Sequence, residues 1–167
     1  MDRILIVGLG LIGGSYAEGL TRAGFEVGAV TRSRSSIDYA LQKGIISSGT
    51  TGLDPDYLGR WDVVVFSLYP HIFRQWVREN QQWLRSGAIL TDVTGVKSRI
   101  VPEIQGMLRP DLEFVSAHPM AGREVYGVQN SNADIFKGAN FILTPTERNS
   151  EQAIGRIEAI ARHLGFR

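Results

Sequence analysis

Short apolar runs of strand length alternate along the chain with amphipathic stretches of helix length. Residues 3–7 (Arg-Ile-Leu-Ile-Val) form a near-continuous apolar run, the pattern of a strand covered on both faces. Residues 11–23 then read as a helix stopped by Gly24, residues 26–30 as a second strand, and 36–43 as a second helix ended by Gly44. Residues 62–67 (Asp-Val-Val-Val-Phe-Ser) are the clearest buried strand. A helix over 71–84 follows, with Ile72, Phe73, Trp76, Val77 and Leu84 on roughly one face. Residues 88–92 predict a strand, 98–107 a helix, 113–117 a strand and 140–144 another. Residues 150–164 close the series as a helix with Ser150 as N-cap and Gly165 as its stop. Such an order predicts an α/β fold, a Rossmann-like doubly wound, mainly parallel sheet with helices on both faces. Its longest irregular stretch, 118–135, is rich in Gly, Asn and Ser, and a loop of that length in a compact domain suggests function.

Composition narrows the classes. The 167 residues suffice for one domain with a core, and 43% hydrophobic with 21% charged residues is ordinary for a soluble globular chain. A net charge of +1 gives no electrostatic case for nucleic acid or a membrane surface as partner, which leaves a small molecule. With no cysteine, disulfides, thiolate catalysis and Cys-ligated metals are excluded, no metal site is expected, and a cytoplasmic location suits the chain. The N-terminal apolar run from Ile4 to Ile12 is broken by Gly8 and Gly10 and lacks a cleavage pattern, so it reads as a strand entering a turn.

That turn carries the first chemistry. Gly8-Leu9-Gly10-Leu11-Ile12-Gly13 matches G-x-G-x-x-G between a predicted strand and a predicted helix, the context a dinucleotide site needs. Gly8 permits the tight turn, Gly10 lets a pyrophosphate approach the backbone, and Gly13 lets helix pack on strand; the helix N-terminus offers unpaired N–H groups. The competing reading is a glycine-rich turn without ligand. At the end of the second strand an NAD site usually places an acid, whereas this sequence reads Thr31-Arg32-Ser33-Arg34. Two guanidinium groups and hydroxyls match a 2′-phosphate, which favours NADP over NAD, against the alternative of a solvated basic turn. Ser67, Leu68, Tyr69 and Pro70 follow a strand at its carboxyl end, and Asp92 ends another, where ligands bind in such sheets.

Of three histidines, His163 near the end of the last helix suits a surface role, and His71 suits a local turn as well as a cofactor contact. His118 differs, following the strand at 113–117 and opening His-Pro-Met-Ala-Gly-Arg-Glu. An imidazole there is placed to accept a proton from a substrate hydroxyl.

His118-Pro119-Met120-Ala121-Gly122, downstream of the glycine turn, resembles the signature of the prephenate/arogenate dehydrogenases. The resemblance extends through Asp92-Val93-Thr94-Gly95-Val96-Lys97 and Phe141-Ile142-Leu143-Thr144-Pro145 and so covers essentially the whole chain. It implies oxidation of the ring carbinol of prephenate or arogenate with loss of CO2, giving 4-hydroxyphenylpyruvate or tyrosine. It also implies that His118 takes the carbinol proton and that Glu124 lies near the substrate. Ser116 would orient the histidine or substrate, or serve only as a strand-end hydroxyl. Lys97 would hold a carboxylate or the ribose, with a structural ion pair as its competitor. Many family members carry a serine where this sequence has Gly95; Thr94 is adjacent, but neighbours in an extended segment point oppositely. Family members continue into a helical domain that forms a homodimer and completes the substrate pocket, so residues 1–167 are expected to be the cofactor-binding half, with little turnover alone. The alternatives are another Rossmann hydroxy-acid dehydrogenase and a non-catalytic dinucleotide-binding module.

Overall fold

A computed structural model of the chain describes residues 1–122 and 124–167. The first half runs β1 (Arg3–Val7), α1 (Leu11–Arg22), β2 (Glu26–Val30), α2 (Arg34–Gln42), β3 (Ser48–Thr50), α3 (Pro55–Leu58), β4 (Val63–Phe66) and α4 (Pro70–Asn80). The second half runs β5 (Ile89–Asp92), α5 (Ile100–Met107), β6 (Glu113–Phe114), β7 (Ser116–Pro119), β8 (Phe141–Thr144) and α6 (Glu151–His163). Six strands form one parallel sheet in the order β3-β2-β1-β4-β5-β6, so the winding direction reverses between β1 and β4. Ligands in open α/β sheets bind beyond the carboxyl ends of the strands at such a reversal.

The alternation of side chains along each strand feeds two cores. Ile4, Ile6, Val63, Val65 and Ile89 belong to one, together with Tyr16 and Leu20 of α1 and Ile157 and Ile160 of α6. Leu5, Val7, Val64, Phe66 and Leu90 belong to the other, with Phe73, Trp76 and Val77 of α4 and Ile104 of α5. Double coverage explains why β1 and β4 carry unbroken apolar runs. Among the described residues no helix is long and apolar enough to cross a membrane.

Two segments differ from the sequence expectation. β3 and α3 are additional elements in a stretch that carries no strong periodic signal. The predicted strand over 113–117 is two strands: the Val115 N–H makes the last bond to the sheet, on the Leu90 carbonyl at 2.9 Å. The chain then leaves for an antiparallel ribbon in which β7 pairs with β8, Ala117 opposite Leu143 and His118 opposite Ile142. His118 therefore lies within a strand of the ribbon and not in a loop. Between the two ribbon strands, two 3-10 turns, Val128–Asn130 and Ala133–Phe136, pack against α1. Ser15 ties them down, donating to the Leu11 carbonyl at 2.7 Å and accepting from the Asn132 N–H at 3.0 Å.

Candidate functional site

A cleft of about 840 Å³ opens over the carboxyl ends of the strands and spans the reversal between β1 and β4. Its floor is the β1–α1 turn. Gly8 has φ +96, and a Cβ there would lie 2.3 Å from the Ser67 carbonyl oxygen, so a side chain is excluded both by conformation and by contact. A Cβ on Gly13 would lie 2.1 Å from the Gly8 carbonyl oxygen, which closes helix onto turn. A Cβ on Gly10 meets no protein atom within 4 Å, so this backbone faces open space. No side chain caps α1, and its first N–H groups precede the first intrahelical bond, made by Gly14 N to Gly10 O at 2.9 Å. An open cradle beside uncapped donors fits a pyrophosphate.

The cleft walls bring together Gly8, Leu11, Ile12, Thr31, Arg32, Ser67, Leu68 and Tyr69 of the sequence-derived set. Pro70 is the first residue of α4 and does not line the cleft. Sequence reasoning missed Thr51 and Leu53 after β3, Ile72 and Trp76 of α4, and Val93, Val125 and Tyr126. The first pair follows a strand too short to announce itself; the helical period marks Ile72 and Trp76 only as part of a buried face. Ser33 and Arg34 are drawn into α2 instead: Ser33 Oγ caps it by accepting from Ser36 N at 3.3 Å, and Arg34 Nε pairs with Asp38 at 3.2 Å. His71 stacks on Tyr69 with centroids 6.3 Å apart, and His163 meets Phe25 edge-on at 5.1 Å.

Beyond the Val93 edge of the cleft lies a group of side chains. Val93 continues β5 into the wall, and Gly95, two residues on, lies against the imidazole of half-buried His118. A Cβ on Gly95 would stand 3.2 Å from His118 Cε1 and 3.3 Å from Nε2, so a side chain here would press on the ring. Thr94 is half-buried beside it, and Glu124 is exposed on the segment after β7. Asp92, Lys97 and Ser116 gather into a buried network. Asp92 is 1% exposed and accepts from Ser116 Oγ at 2.8 Å, Ala117 N at 3.0 Å and Lys97 Nζ at 3.0 Å. Burial pushes the Asp92 carboxyl above its ordinary range, opposed by Lys97, the Ala117 amide and Ser116; burial likewise pushes Lys97 down, opposed by Asp92. Lys97 thus occupies the structural ion pair that was the alternative to a substrate contact.

Comparison with known proteins adds the family. A family model for the nucleotide-binding domain of prephenate dehydrogenase matches residues 16–167. The crystal structure of prephenate dehydrogenase from Aquifex aeolicus superposes with a TM-score of 0.91 at 32% identity, covering 100% of this chain and 60% of that one. Synechocystis arogenate dehydrogenase superposes with a TM-score of 0.90 at 27% identity, covering 99% of this chain and 58% of that one. The prephenate dehydrogenase of Lactococcus lactis is 28% identical over 163 residues, which are 95% of this chain and 45% of that protein. This chain spans about half the length of its curated relatives. The Aquifex aeolicus enzyme has also been crystallised with hydroxyphenyl propionate and NAD+. That complex overturns the NADP preference expected from Thr31, Arg32, Ser33 and Arg34. The local reason is that Ser33 is spent on a helix cap and Arg34 on Asp38, so the apparent phosphate-binding cluster is dispersed. Fold, glycine turn and family match agree, and the chain belongs to the prephenate/arogenate dehydrogenase family as its N-terminal nucleotide-binding domain.

Proposed function

We propose that this chain is the cofactor-binding half of an NAD-dependent dehydrogenase that oxidises prephenate or arogenate with loss of CO2. The observation that carries the reading is the open Gly10 cradle at the uncapped start of α1, on the floor of a cleft at the sheet's reversal. Gly8, Gly10, Leu11 and Ile12 would hold the pyrophosphate, Thr31 and Arg32 the adenosine side, and Ser67, Leu68 and Tyr69 the opposite wall. Bound NAD+ supplies a two-electron acceptor for the carbinol carbon of the substrate ring. His118 takes the carbinol proton, and release of CO2 leaves an aromatic ring. Thr94 and Glu124 would lie near the substrate. A helical domain after residue 167 completes the pocket, supplies a cation for the substrate carboxylate and forms a homodimer.

Calorimetric titration of the chain should show NAD+ binding more tightly than NADP+. Replacing His118 by Ala in the longer enzyme should lower turnover by about 100-fold or more while leaving NAD+ affinity within about twofold, the magnitude of a lost general base. Absence of NAD+ binding, or turnover that survives His118→Ala, defeats the proposal.

A further inference from the structure

A carboxylate as buried as Asp92 must be fully partnered, and its partners have a geometry beyond neutralisation. Lys97 Nζ donates to Asp92 Oδ1 at 3.0 Å, to Oδ2 at 3.1 Å and to the Ala117 carbonyl at 2.5 Å. An ammonium has three N–H bonds, so these three acceptors satisfy it and leave none for a substrate carboxylate. Asp92 Oδ1 in turn accepts the Ala117 N–H at 3.0 Å. One ion pair thus grips the backbone N–H and C=O of Ala117, the residue that precedes His118.

The same pair holds the opposite side of the ring. Lys97 closes residues 92–97 back onto the end of β5, and that loop carries Gly95 to the imidazole, its Cβ position 3.2 Å from His118 Cε1. The strand bearing His118 and the backbone against which its ring lies are both anchored on Asp92.

We infer that the Asp92–Lys97 pair is a positioning device for His118, setting the imidazole between β7 and the 92–97 loop without touching substrate. The inference rests on the reading of His118 as the proton acceptor. Its leverage comes from orientation, because a displacement of 1 Å between reacting groups costs about 100-fold in rate. Ser116 Oγ, which donates to Asp92 Oδ1 at 2.8 Å, is the third side chain of the device.

The test compares Lys97→Met, Lys97→Arg and Ser116→Ala with His118→Ala in the enzyme that turns prephenate or arogenate over. Lys97→Met should lower kcat tenfold to a hundredfold, with the NAD+ dissociation constant and the substrate KM each within threefold. Lys97→Arg should recover part of the loss, since it keeps the charge but not the three-way geometry. In the 167-residue chain, the His118 Cε1–H NMR signal should shift and broaden in Lys97→Met, which a remote structural ion pair would not cause. A tenfold rise in substrate KM with kcat unchanged would make Lys97 a substrate ligand and overturn the inference, as would an unmoved His118 signal with kcat intact. If Lys97→Met does not fold, Ser116→Ala decides: kcat down threefold or more supports the device, and unchanged kcat with an unshifted signal overturns it. Full turnover in His118→Ala would instead defeat the functional reading beneath it.

Discussion

The glycine turn under the cleft and the network beyond its Val93 edge are made of different materials. The cleft floor is backbone: Gly8 and Gly13 close the turn by contacts that leave no room for a Cβ, Gly10 meets no protein atom, and α1 begins without a cap. Beyond its Val93 edge lies a saturated side-chain network, in which Asp92, Lys97 and Ser116 grip the strand that carries His118. A site defined by missing atoms fails sterically and abruptly. A site defined by shared protons fails by degrees, and its failure depends on pH.

The largest effect expected from this contrast lies in the floor. Gly13→Ala places a Cβ 2.1 Å from a backbone oxygen that no rotamer can move aside, and should cost about 3 kcal/mol in urea unfolding, the upper range for overpacking. Gly10→Ala meets no protein atom within 4 Å, so it should stay within about 1 kcal/mol of the parent, an N-cap effect only. It should nonetheless weaken NAD+ at least tenfold in calorimetry. Equal stability losses in the two variants would break the distinction between a packing glycine and a ligand-facing one.

In the network, Lys97→Met strands a buried carboxylate. Its cost at neutral pH should be about 2 kcal/mol, below the range of about 3–5 kcal/mol for a fully buried pair, because Asp92 keeps two other donors and Lys97 is 16% exposed. Removing the ammonium raises the Asp92 carboxyl further above its ordinary 3.8, so the folded state favours the protonated acid. The variant's stability is then greatest below that value and declines as pH rises through the raised one. Melting curves from acid to neutral pH should show the gap between parent and Lys97→Met widening; a constant gap would remove Asp92 from the account.

The smallest effect lies outside both regions and calibrates them. Hydrogen bonding from Arg109 holds exposed Asp111 at about 2 against an ordinary 3.8. A depressed carboxyl contributes stability above 3.8 that is lost as pH falls toward 2. Asp111→Asn should flatten the melting temperature over that acid window, lowering it slightly at neutral pH and converging with the parent as pH falls toward 2.

The same contrast decided what the sequence disclosed. The floor is local: six residues, a strand before and a helix after, so Gly8 to Gly13 was legible together with β1, β2 and α1. β4 and α6 were legible for the same reason, through an unbroken apolar run and a Ser150 cap. β3, with Ser-Gly-Thr, has no apolar alternation, and the four residues of α3 are too few to establish a period. The switch at Val115 was illegible because Phe114, Val115 and Ala117 are buried on either side of it, and burial does not reveal a change of pairing partner. Arg34 misled because Asp38 stands one helical turn away, and the reading of the basic cluster stopped at the strand end. Asp92 and Ser116 are 24 residues apart, and only the fold brings their side chains within hydrogen-bonding distance.

The departure at Val115 also bears on descent. A chain that leaves its sheet at one residue acquires two surfaces that can drift separately. Met120 and Ile142, 50% and 47% exposed on or beside the ribbon, can be exchanged without moving a backbone atom under Gly8 or Gly10. One inherited floor for the dinucleotide can therefore serve under many different ceilings, and a lineage can change what it oxidises while keeping what it oxidises with.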